Sequence, residues 1–147
     1  MNAPDLTQRP PRSPRSRLGG YVLLPRMLDK GRATITGKNG EYRYACPLDQ
    51  RILEFLGIDA EALKQQLAAG KGDGDILAWI EANKKHSRAA WEIAQWSVFQ
   101  DHRVPTDLEG REFFHGIHKN VAPNREDIAT WADLLDLDDY VSFGGQP

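Results

Sequence analysis

Apolar residues recur along this chain at three- and four-residue steps, the spacing that lines one face of an α-helix. Leu24, Leu28, Gly31 and Ile35 form the first such stripe. A helix tolerates proline only in its first turn, so Pro25 sets the start near residues 21–24. The spacing predicts a first helix over about 21–36, with Gly37 as its stop. The same stretch also reads as a β-hairpin. Thr34-Ile35-Thr36 and Glu41-Tyr42-Arg43-Tyr44 flank an Asn39-Gly40 turn signal. The helix over 24–35 is preferred, with a short extended piece or hairpin near 41–45.

Later boundaries are marked by caps. Pro47 stands where a first helical residue belongs and Gly57 where a helix stops, with Leu48, Ile52, Phe55 and Leu56 between them. Asp59 caps a helix over about 60–69, and Asp73 caps one over about 74–85. Ser87 opens a helix over about 88–101 with Trp91, Ala94, Val98 and Phe99 on its stripe. Thr106 and Glu109 fit a capping box for about 107–120. Asn124 caps the last, about 125–136, with Ile128, Trp131, Ala132 and Leu135.

Six to seven short helices joined by short loops predict a mainly α, compact single-domain bundle. Residues 1–17, with Pro4, Pro10, Pro11 and Pro14, read as an extended arm rich in proline and arginine, and residues 18–147 as one helical domain. The four tryptophans, Trp91 and Trp131 foremost, are expected in the core.

Composition narrows the setting. The 147 residues are 40% hydrophobic and 27% charged, a globular balance. Cys46 is the only cysteine, which excludes an internal disulfide and a cysteine-based zinc site. The longest apolar run near the start, Tyr21-Val22-Leu23-Leu24, is far too short for a membrane span or signal core. A cytoplasmic protein with no membrane partner is expected.

The net charge of −2 hides an asymmetry. Residues 1–32 carry Arg9, Arg12, Arg15, Arg17, Arg26, Lys30 and Arg32 against Asp5 and Asp29. Residues 124–147 carry Arg125 against Glu126, Asp127, Asp133, Asp136, Asp138 and Asp139. Basic start and acidic end can meet within one molecule or between two, as a homo-oligomer or with a partner. No helix carries a basic stripe, so nucleic acid is not an expected partner.

Candidate chemistry gathers in residues 21–50. Arg26, Asp29 and Lys30 are neighbours on one helical face. With Tyr42, Tyr44, Asp49 and Gln50 they suggest a small-molecule-binding protein or small enzyme with a polar pocket for an anionic metabolite. Arg26, Lys30, Tyr44 and Gln50 would bind, while Asp29, Asp49 and Tyr42 would handle protons or orient the ligand. Tyr42 and Tyr44 would share one side of an extended segment. The plainer alternative is a solvated face of surface ion pairs. Cys46 precedes Pro47 at a helix N-terminus, where a thiol can serve as nucleophile. Its plainer reading is a small buried residue.

Glu112-x-x-His115-x-x-His118 offers metal donors, but steps of three fan them around the helix and i,i+4 spacing is absent, so no metal site is assigned. Gly70–Asp75 fits neither a P-loop nor an EF-hand loop. No motif in the chain names a cofactor or a reaction. A non-catalytic interaction module using the basic arm and acidic tail is the other reading.

Several stretches taken in order resemble a known family. They are Leu18-Gly19-Gly20-Tyr21, Leu24-Pro25-Arg26-Met27-Leu28-Asp29-Lys30, Gly40-Glu41-Tyr42, Cys46-Pro47-Leu48-Asp49 and Phe55-Leu56-Gly57-Ile58. From about Leu6 to Tyr140 the chain is similar to a family of small bacterial proteins, domain-of-unknown-function family 5069. The resemblance implies a stand-alone cytoplasmic protein of this size and carries no activity, cofactor or catalytic residue with it.

Overall fold

The computed structural model describes residues 2–147, and among these it has seven helices and one two-stranded ribbon. The ribbon comes first: β1 (Arg17–Leu18) pairs antiparallel with β2 (Tyr21–Val22), Leu18 opposite Tyr21. Its turn is Gly19-Gly20, both at positive φ (60° and 84°). A two-residue hairpin whose twist matches its strands needs that conformation, and glycine adopts it without steric cost. The hairpin therefore lies at 17–22. Residues 41–45 form turns and irregular backbone, because Ala45 is left-handed (φ 57°) and ends any extended run.

Helix α1 (Leu24–Ile35) matches the preferred reading and is the central element, with Leu24, Met27 and Leu28 fully buried. Gly31 lets α3 (Ala60–Ala68) approach: a Cβ there would stand 2.6 Å from Leu67 Cδ1. Helix α2 (Pro47–Leu56) ends on left-handed Gly57, and Asp59 Oδ1 caps α3 by accepting the Ala62 N–H. Helix α4 (Asp73–Asn83) starts one residue earlier than its cap pattern suggested. Asp73 is its first residue and bonds Arg12 and Arg32 instead of capping.

The last three helices also shift. Helix α5 (Ala90–Asp101) is preceded by Ala89, whose N–H donates to Glu92, and Ser87 lies outside it. Helix α6 (Leu108–Val121) is capped by Asp107, one residue past Thr106. Helix α7 (Trp131–Ser142) begins six residues later than expected. Thr130 Oγ1 accepts the Asp133 N–H at 3.1 Å and Asp133 Oδ2 accepts the Thr130 N–H at 3.0 Å. That reciprocal box satisfies two otherwise orphaned donors, an advantage Asn124 does not offer.

Two hydrophobic clusters result. The larger is built from β2, α1, α2, α3 and α4, with Trp79 and Trp96 packed on its edge. The smaller joins α6 and α7 through Leu134, Leu137, Phe114 and Ile117, with Trp131 half-buried against Phe114. Trp91 belongs to neither and is 69% exposed, contrary to the core expectation, because it points from α5 away from the molecule.

Residues 2–17 lie across the helical domain. Leu6 is buried and its N–H bonds the Lys38 carbonyl. Arg12 holds Asp29 and Asp73, and Arg15 holds Asp133 and Asp136. The basic start and acidic end meet within one chain. No helix among the described residues is long and apolar enough to cross a membrane.

Candidate functional site

The site grows out of α1. Residues four apart on a helix share a face, and Arg26 and Lys30 occupy the face not taken by the apolar core. Both are buried, at 4% and 3% exposure. Burial of a cation demands a partner, and each has one from a different element. Arg26 Nη1 donates to Asp139 Oδ2 at 2.7 Å and to the Arg12 carbonyl at 3.1 Å, and Nη2 reaches Asp139 Oδ1 at 3.3 Å. Lys30 Nζ donates to Asp49 Oδ1 at 2.7 Å and to Cys46 Sγ at 3.3 Å.

Tyr42 closes the first pair. Its hydroxyl donates to Asp139 Oδ1 at 2.7 Å, and the Arg26 guanidinium lies 5.5 Å from its ring centre. Burial, and then the adjacent Asp139 carboxylate, push the Tyr42 phenol well above its ordinary range. Both hold Tyr42 in its protonated form, as the donor to Asp139. Asp49, 1% exposed, is held above the usual carboxylate range because burial outweighs the attraction of Lys30. Its second oxygen has no hydrogen-bond partner among the described residues.

Cys46 is placed by the turn before α2. Left-handed Ala45 swings the chain round, and Gln50 Nε2 fixes the turn by donating to the Ala45 carbonyl at 3.0 Å. Cys46 then stands as the N-terminal flanking residue of α2 with Pro47 at the first helical position. The two ion pairs border one cavity of about 660 Å³ between α1, the 40–48 segment and α7. Arg26, Lys30, Tyr42 and Cys46 line it on one side. Leu6, Leu48, Leu135 and Phe143 give it apolar walls, and Glu41, Arg43 and Asp138 stand at its border.

Of the residues expected from the sequence, Arg26, Lys30, Tyr42 and Cys46 come together in this cavity, with Asp49 behind Lys30. Asp29, Tyr44 and Gln50 do not line it. Asp29 is consumed by Arg12, which bonds it through its backbone N–H, Nε and Nη2 at 2.9–3.0 Å. Tyr44 donates to the Ala60 carbonyl at 2.8 Å and packs beside Gly31, so it braces α1 on α3. Tyr42 instead donates to Asp139, so the two tyrosines do not share one side. Asp139, which pairs with Arg26 and lines the cavity, is the residue of this site that the sequence did not single out. Its only signal is membership of the acidic tail.

On α6, Glu112 and His115 are exposed, and His118 Nε2 lies 2.7 Å from the Arg125 carbonyl. Among the described residues no group of three or more His, Cys, Asp or Glu side chains gathers as a metal site.

Compared with known proteins, residues 8–141 match a family model described as "Domain of unknown function (DUF5069)". No curated protein matches the chain.

Proposed function

The chain belongs to this family of unknown function, and we propose, from its own residues, that it binds a small molecule with an anionic head and an apolar body in the cavity beside α1. One observation carries the reading: the buried cations Arg26 and Lys30, held by Asp139 and Asp49, line the same cavity as Cys46 and Tyr42. Buried pairs of this kind contribute little net stability, since apolar residues of similar volume often do as well or better. Their place beside a cavity is better explained by what they present to it.

The donor count supports an anionic head. Lysine has three N–H donors and arginine five. Two of Lys30's are engaged, and three of Arg26's, which leaves donors on both. Asp49 and Asp139 hold the two cations in position before a ligand arrives, which lowers the ordering cost of binding. Leu6, Leu48, Leu135 and Phe143 suit an apolar body. A volume of about 660 Å³ lies within the range of small-molecule pockets. Cys46 and Tyr42 are the groups a bound molecule would meet. The reading sets the protein in the cytoplasm, where a free thiol at a binding site stays reduced.

The test is thermal unfolding against a panel of small carboxylates and phosphate esters that carry an apolar group. At saturation at least one class is expected to raise the melting temperature by several degrees, about 2–4 °C per kcal/mol of linkage. The double variant Lys30→Met/Asp49→Leu, which removes one pair without stranding a charge, is expected to lose that shift. A panel without effect, or a shift that survives in the double variant, overturns the reading.

A further inference from the structure

We propose that α5 is the contact face of a symmetric dimer, its outer surface covered by a second copy of this chain. Helix α5 stands out by its composition. Ala90–Asp101 reads AWEIAQWSVFQD, apolar round most of its circumference. Ile93 and Trp96 pack inward on the larger core, and Ser97 and Gln100 are buried. Trp91, Val98 and Phe99 point outward at 69%, 46% and 61% exposure, with Ala94 and Gln95 exposed between them. A helix apolar on all sides belongs in an interior. Half of this one has no cover among the described residues.

The face is large and uncharged. Its two acidic residues are spent: Glu92 accepts the Ala89 N–H, and Asp101 is bonded by Arg17 at 2.6 Å. At roughly 150–250 Å² per aromatic side chain, the exposed fractions of Trp91 and Phe99 give roughly 200–325 Å² of apolar surface, which the exposed parts of Val98 and Ala94 bring toward ~400 Å². That is about the apolar half of a standard interface of ~800 Å² per partner. A lipid surface would call for free Lys or Arg beside the apolar strip; α5 contains neither, and Arg17, which lines the adjacent groove, is paired with Asp101.

Shape favours a second copy over a foreign protein. Beside the helix runs a groove of about 360 Å³, lined by Gly19 and Gly20 of the hairpin turn and Ala90 and Ala94 of α5, with Arg17, Ile93 and Val98 at its sides. The large side chains Trp91 and Phe99 project from the same face. Knob and hollow on one surface are what a two-fold contact requires, since each patch must complement itself. Trp91, Ala94 and Val98 lie at helical i, i+3, i+7 spacing. Two antiparallel α5 helices crossing at Ala94, the smallest residue of the strip, would set Trp91 of one protomer against the partner's Val98. With no charge on the strip, such a pairing brings no like charges together.

Sedimentation velocity of the full chain tests this. The wild-type protein is expected to be a dimer at about 100 µM, and Ala94→Arg and Val98→Glu are each expected to raise the dimer Kd at least about 100-fold. Their circular dichroism should remain helical, because both positions are exposed. Phe113→Glu, an exposed apolar position on α6, should leave the dimer intact. A wild-type monomer at that concentration overturns the proposal, whether or not it binds phosphatidylcholine–phosphatidylglycerol vesicles. So does a dimer that survives both α5 variants or is split by Phe113→Glu.

Discussion

Lys30 shows why single side chains at this site must be read in pairs. Truncating it to methionine strands the Asp49 carboxylate at 1% exposure. An unpaired buried charge costs about 3–5 kcal/mol. Urea unfolding of Lys30→Met is expected to show a loss of that size, and Lys30→Met/Asp49→Leu is expected to recover most of it. A double variant as unstable as the single one would mean that the pair itself holds the fold. Residue-level chemistry was partly legible. Arg26 and Lys30 share a face by helical spacing alone, and Cys46 before Pro47 marks a helix start. Asp139 was not legible as their partner, since it lies 113 positions from Arg26 and only tertiary packing joins them. Asp29 misled because helical spacing groups it with Arg26 and Lys30 but cannot reveal that Arg12 claims it.

Among the elements, α1 carries the tightest constraint. A Cβ at Gly31 would meet Leu67 Cδ1 at 2.6 Å and the Tyr44 ring at 3.2 Å. Overpacking of this kind costs about 1–3 kcal/mol, so Gly31→Ala is expected to lower the thermal midpoint, and Gly31→Ala/Leu67→Ala to remove the clash at the expense of a cavity. The start of α7 offers a second check. Thr130→Ala removes the reciprocal cap and is expected to cost about 1 kcal/mol in urea unfolding, whereas Asn124→Ala, outside the helix, is expected to cost far less. Helices were legible where an apolar stripe met a start or stop signal, as at Pro25, Pro47, Asp59 and Asp73 for α1 to α4. The hairpin was not: its strands are two residues each, too short for alternation to show, although Gly19-Gly20 is a fair turn signal. The α7 start was not legible because Asn124 offers a cap six residues earlier, and the Thr130–Asp133 box carries Asp where the usual pattern has Glu or Gln.

At the scale of the whole molecule, the cavity lies on a polar seam. The larger core and the α6–α7 cluster are joined near it by Arg15, Arg26 and Tyr42 reaching α7, and by the arm laid over both. Electrostatics should therefore govern the seam. Burial pushes the Asp73 and Asp133 carboxyls up, but the bonds they accept outweigh it and hold both below 3.8. For Asp73 the donors are Arg12 and Arg32, and for Asp133 they include Arg15 and the Ala129 and Thr130 N–H groups. A carboxyl depressed in the folded state contributes stability that is present above its unfolded value and lost as pH falls through its folded one. Asp49 has the opposite sign: raised in the fold, it favours folding as pH falls toward 3.8. Stability by urea unfolding is thus expected to hold between neutrality and about pH 4, then fall steeply below it as the arm is released. A profile that falls evenly from pH 7 would contradict the assignment. The charge asymmetry was legible in the sequence. That it closes within one chain was not, because composition does not say which molecule a charge meets.

The most direct measurement is the alkylation rate of Cys46 by iodoacetamide, which reports from inside the cavity without ambiguity because the chain has no other cysteine. Small anionic molecules that raise the melting temperature are expected to slow that reaction in proportion to their occupancy, and to do neither in Lys30→Met/Asp49→Leu. Ligands that stabilise the protein while Cys46 reacts at its unliganded rate would place binding elsewhere and contradict the account.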